Sequence, residues 1–282
     1  MSTTTPPDTL RTAHATEDGA GVKIRRIQDF SGGLDPFLML DELKSSQRED
    51  YIGGFPPHPH RGFETITYLI HGGLTHQDSM GNQGKVEAGE AQWMSAGRGV
   101  IHSEMPLLDA DGLHGFQAWV NLPAQRKMDA PRYRDIRRAE MGRCSAPGLQ
   151  FTAIAGSWVG NFGAVDGPLP AMGADAAMAD VNLEAGHSLQ LILEPDQRLL
   201  AYVYAGQVGA DVESGRLLVW VNQSNVQIHT PTGCGLLLLR GTPLREPISH
   251  RGPFVMNSAE EIEQAFADYS AGRLATPPSS VL

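Results

Sequence analysis

Short apolar runs, separated by glycine, proline and polar turns, recur along most of the chain, and no helical period interrupts them until the C-terminus. Val22 to Ile27 is the first strand-like stretch, and the polar, Thr/Pro-rich residues from about 1 to 20 suit a loosely held leader. FETITYLI from Phe63 to Ile70 is rich in β-branched and aromatic residues, and Gly72-Gly73 offers a turn before LTHQDSM, which predicts a hairpin. Short strands continue through KVEAGEAQWMSAGRGVIHSEMP and GFQAWVNLP. The charged segment Lys127 to Pro147 has two prolines and no sustained apolar face, which places a domain junction there.

Beyond it the strand pattern returns in LQFTAIAGSW, HSLQLILE, LLAYVYAGQVGADVES, RLLVWVN and GLLLLRG. TYLIHGGLTHQDS and AYVYAGQVGADVES weakly echo one another, so the second half reads as a second copy of the first. Near the end, Ser258 at a cap position with Glu261 three residues on precedes IEQAFADY, whose apolar spacing of three and four predicts a helix over 258–270. The expected fold is all-β: two antiparallel barrels, 1–130 and 131–282, the second ending in that helix.

Hydrophobic residues at 41% and charged residues at 19% suit a chain of 282 residues with a sizeable core. The net charge of -10 repels phosphate backbones, and Lys23 to Arg26 and Arg132 to Arg138 are too short to overcome it. No direct nucleic-acid partner is expected. No run is long enough to span a bilayer, no secretory pattern opens the chain, and Cys144 and Cys234 form no framework, so a cytoplasmic protein with two reduced thiols is expected. GRGVI lacks the lysine and spacing of a phosphate loop, and Ser95, Ser103 and Cys234 have no readable base partner.

The candidate chemistry lies in HPH and HSE. Strand side chains alternate faces, so His58 and His60 point one way together, as do His102 and Glu104. Two such pairs on neighbouring strands converge inside a closing barrel, and three imidazoles with one carboxylate suit one divalent first-row metal. Pro59 donates no ladder hydrogen bond, which fits a strand at a barrel mouth, where a substrate enters. His14, His71, His114, His187 and His229 are expected as surface or satisfied core residues. His76 and Asp78 share a face of the returning strand, with turn and surface packing as their ordinary role. Glu64 is expected either beside His60, orienting its imidazole, or on the surface.

The stretches DPFLMLDE, GGFPPHPHRGFETITYLIHGG, AGRGVIHSEMP and QAWVNLP resemble the pirin family of cupin proteins, and APRYRDI, LREPISHRGPF and VMNSAEEIEQAFADYSAGRL extend the resemblance over nearly the whole chain after the leader. The resemblance implies a bicupin whose first barrel holds iron, Fe(II), with ligands aligning with His58, His60, His102 and Glu104, and whose second barrel lacks a metal. His250 in LREPISHRGPF departs from the expected pattern and leaves a second site open. Glu104, rather than Glu64, takes the carboxylate role by this resemblance. The implied activity is dioxygenation of flavonols such as quercetin at the N-terminal barrel mouth, a quercetin 2,3-dioxygenase reaction with Glu104 as the base. The alternative is an iron-dependent, redox-sensitive regulatory protein that binds a transcription factor or enzyme partner without catalysis.

Overall fold

The computed structural model describes residues 3–107, 111–170 and 172–275, and its strands pair antiparallel into two barrels. One compact unit comprises Ala15–Arg138 with Leu244–Leu282, the other Met1–His14 with Ala139–Pro243. The division near residue 138 falls within the expected junction, but the termini differ from the partition 1–130 and 131–282. Among the described residues, 3–14 belong with the second barrel and 244–275 with the first.

In the first unit a seven-stranded sheet runs in the order Arg132–Ile136, Ala91–Ser95, Phe63–His71, Leu113–Asn121, Phe37–Ser45, Val22–Gln28 and His14–Asp18. A four-stranded sheet holds Phe55–His60, Val100–Pro106, Gly73–Asp78 and Gln83–Glu87. The strands on either side of Gly72 thus lie in different sheets, so the expected hairpin does not form. Gly72, at φ +81°, turns the chain from one layer to the other. Side chains of both layers then fill the space between them, as a jelly roll requires.

The helix Ala259–Ser270 carries the expected capping box: Glu261 N donates to Ser258 Oγ at 3.2 Å, and Ser258 N donates to Glu261 Oε2 at 3.0 Å. Ile262 and Ala265 pack with Phe254, Met256 and Leu274. The buried Arg61 donates to Asp268 at 2.9 Å and also to the Arg98 carbonyl. Arg61 adjoins His60, so the helix braces the first barrel beside its histidines, which corrects its expected place at the end of the second. Lys127, 1% exposed, strengthens the same corner by donating to Gly62 O, Asn121 Oδ1 and Val255 O at 2.7, 2.5 and 3.1 Å.

In the second unit the interior is apolar, built on Phe151, Trp158, Leu191, Trp220, Val226 and Leu236. The expected loose leader is corrected here too. Thr9–Thr12 pairs with Arg216–Val221, Trp220 Nε1 donates to Thr5 O at 3.0 Å, and Gln227 N donates to Thr5 Oγ at 2.9 Å. An edge strand offers unpaired backbone groups, and a threonine-rich segment supplies both a β-branched backbone and hydroxyls to meet them.

Candidate metal centre

His58 and His60 stand on the strand Phe55–His60, and His102 and Glu104 on its neighbour Val100–Pro106. His102 lies directly opposite His58, and Val100 opposite His60. Two residues further on the register slips, so that Glu104 faces Phe55. Pro56 and Pro57 lie in that slip; neither can donate to the ladder, which makes it the natural place for an irregularity.

The consequence is a tight histidine cluster. Ligand nitrogens of His58, His60 and His102 lie within 4.8 Å of one another, while Glu104 stands outside that group. Ring centroids are 4.6 Å apart for His58 and His60, 4.4 Å for His58 and His102, and 4.9 Å for His60 and His102. His58 Nδ1 pairs with Pro56 O at 2.8 Å and His60 Nδ1 with Pro253 O at 3.4 Å. Those backbone acceptors fix the proton on Nδ1 and leave each Nε2 as a lone-pair donor. His60 Nε2 and both nitrogens of His102 are buried without a hydrogen-bond partner. Burial, then the neighbouring imidazoles, pushes His60 and His102 well below the ordinary histidine range, with the Pro253 carbonyl opposing this weakly at His60.

Buried, neutral imidazoles with unsatisfied nitrogens are costly unless something binds them, and a divalent cation is the ligand that three converging lone pairs fit. The first barrel therefore presents the donor set for a single metal ion.

Glu104 reaches across the barrel. Its Oε2 accepts from Gln117 Nε2 at 2.7 Å and its Oε1 from Thr67 Oγ1 at 3.3 Å, both on the facing sheet. Trp119 Nε1 donates to Gln117 Oε1 at 3.4 Å, which orients the amide so that its NH2 faces Glu104. Gln117 and Thr67 belong to no recognisable motif in the sequence. Their only signal was period-two alternation, which aligns Gln117 with Trp119 and Thr67 with Phe63.

Glu64 is fully buried, which rules out the surface. Phe63 is the residue whose ring meets His60, at 5.0 Å, and Glu64 falls on the alternate face of its strand. Gly62, at φ +90°, breaks the extended run between His60 and Phe63, so alternation cannot be carried across it. His76 and Asp78 are also more than turn and surface packing. Both side chains are buried, His76 Nε2 lies 3.3 Å from Asp78 Oδ2, and the His76 ring sits 5.3 Å from His102 and stacks on Tyr133.

A cavity of about 590 Å³ opens on the cluster, with His58 and His60 in its wall. Phe30, Met39, Phe55, Pro56 and Trp119 give it an apolar lining; Asp18, Arg26, Asp41, Gln117 and His250 add polar groups. Arg26 clamps Asp41 through two hydrogen bonds, at 2.8 and 2.6 Å, and also contacts Asp18. The His250 ring lies flat on Phe30, centroids 3.5 Å apart and planes 2° from parallel.

Two cupin barrels with a histidine cluster in the first define the class as a bicupin. Family models described as Pirin and as the Pirin C-terminal cupin domain match residues 21–120 and 178–275. A Vibrio cholerae protein provisionally named a quercetin 2,3-dioxygenase is 45% identical over 270 residues, covering 94% of this chain and 95% of its own. Human Pirin is 36% identical over 264 residues, covering 89% and 88%. The crystal structure of a quercetin 2,3-dioxygenase from Acinetobacter baumannii matches with a TM-score of 0.86 at 27% identity, covering 97% of this chain and 99% of its own. The chain belongs to the pirin family. No helix among the described residues is long and apolar enough to cross a membrane.

Proposed function

We propose that this protein is a metal-dependent dioxygenase of flavonols such as quercetin, with Fe(II) held by His58, His60, His102 and Glu104. The observation that carries the reading is the joining of the histidine cluster to a cavity of about 590 Å³, a volume suited to a small aromatic molecule. Three imidazoles and a carboxylate match the donor preference of a ferrous ion that keeps positions open. Bound there, the ion would supply Lewis acidity to the substrate oxygens and electrons for oxygen chemistry.

The protein's own groups do the rest. The apolar wall of Phe55, Pro56 and Trp119 receives the flat ring system and excludes water. Glu104 accepts the proton of the flavonol hydroxyl, and Gln117 and Thr67 hold the carboxylate in place for that transfer. Flavonol and dioxygen are consumed together, with release of carbon monoxide.

The test is oxygen uptake with quercetin by protein loaded anaerobically with Fe(II). Quercetin-dependent uptake with carbon monoxide release supports the reading, and a loaded protein that consumes neither substrate contradicts it. The family's animal members motivate a partner-binding role as the competing outcome. It would show as a difference in partner affinity between ferrous and ferric forms with no flavonol consumed.

A further inference from the structure

His250 lies on the short strand Ser249–Arg251, which turns through Gly252 and Pro253 into Phe254–Met256. That two-residue turn supports two imidazoles at once. Gly252 O accepts from His250 Nε2 at 2.9 Å, and Pro253 O pairs with His60 Nδ1 at 3.4 Å. The position of the His250 ring is thereby tied to that of a residue in the histidine cluster.

With its proton on Nε2, His250 is left with an acceptor lone pair at Nδ1. The flat stack on Phe30 fixes the plane of the ring, so that lone pair has a set direction. Several other polar side chains of the cavity are already committed to protein partners. Asp41 and Asp18 are held by Arg26, and Gln117 by Glu104 and Trp119. Among the described residues no hydrogen bond occupies His250 Nδ1; partial desolvation of this exposed residue lowers its pKa, and the Gly252 carbonyl opposes that shift.

We propose that His250, stacked on Phe30, is the specificity residue of this cavity, and that its Nδ1 accepts a hydrogen bond from a phenolic hydroxyl of the substrate. This rests on the flavonol reading above and sharpens it: the preferred substrates are hydroxylated aromatics that donate to His250 while a ring lies along the Phe30 wall. Anionic ligands lacking such a donor gain nothing from this acceptor.

The test is equilibrium binding by calorimetry, under anaerobic conditions, of metal-loaded protein to quercetin and to 3-hydroxyflavone, which lacks the outer hydroxyls. Wild type is expected to prefer quercetin. His250→Phe keeps an aromatic ring against Phe30 and removes the acceptor, so the preference should fall about fivefold to tenfold, the worth of one hydrogen bond, with 3-hydroxyflavone affinity unchanged. His250→Gln, which restores an acceptor, should recover part of the preference. The metal content of each variant reports whether Pro253 still supports His60. An unchanged preference in His250→Phe, or an equal loss for both ligands in both variants, overturns the assignment of His250 alone. Failure of the wild type to bind either flavonol overturns the flavonol reading and this inference together.

Discussion

Gln117 Nε2 donates to Glu104 Oε2 at 2.7 Å, joining the two sheets of the first barrel through the one carboxylate proposed to act on substrate. The amide cannot turn over freely, because Trp119 donates to its oxygen. Replacing it with leucine keeps the volume and removes the donor. Gln117→Leu is expected to lower turnover or metal affinity about 10- to 100-fold, the usual cost of losing a group that orients a ligand. Steady-state oxygen uptake beside metal analysis checks this, and wild-type values for both would show that the bond orients nothing.

Glu104→Gln tests the carboxylate itself. The amide is nearly isosteric but a much weaker base, so turnover is expected to fall at least ~100-fold. A variant that keeps its metal and full turnover would remove Glu104 from the proton-transfer step.

Lys127 gives a prediction about stability. Its ammonium meets three acceptors, and replacement by methionine strands Gly62 O, Asn121 Oδ1 and Val255 O. Lys127→Met is expected to destabilise the fold by about 2–4 kcal/mol near neutral pH, measured by denaturant unfolding.

Burial lowers the Lys127 ammonium from 10.5 to about 8. Between pH 8 and 10.5 the unfolded chain therefore binds the proton that the folded chain has released, so stability rises with pH across that window. The stability of wild type relative to Lys127→Met should grow by up to ~3 kcal/mol from pH 8 to 10.5. A flat difference over that range would mean that the folded-state value is not depressed.

Gly62 fixes the bend between the histidine strand and Phe63. Its φ is +90°, and a Cβ there would stand 1.9 Å from Val255 O. Gly62→Ala is expected to cost at least ~2 kcal/mol and to weaken metal binding, because the neighbouring His60 must shift with it. Thermal unfolding with and without added metal measures both effects.

Much of this architecture was legible in the chain because its physics is local. The pairing of His102 with Glu104 on one face follows from alternation, and the burial of Val100, His102, Glu104 and Pro106 agrees. The capping box at Ser258 and Glu261 likewise marks its helix from four residues. What was not legible depends on contacts distant in sequence. Nothing near Gly72 says that its two strands join different sheets, and Thr5 gives no sign of meeting Trp220, 215 residues away. Alternation counted from His60 would put Glu64 on the same face, but at Gly62 the backbone leaves the extended region and the count is broken. Gln117 carries no distinctive sequence signal, because a glutamine in a strand has no characteristic spacing; the facing Glu104 gives it a role.

Metal content reports most directly on whether His58, His60 and His102 converge on one ion. Protein loaded with Fe(II) under anaerobic conditions and freed of excess should hold about one ion per chain, and a variant with alanine at all three positions should hold none. A wild-type protein that retains no metal, or a triple variant that retains as much as the wild type, would contradict the account.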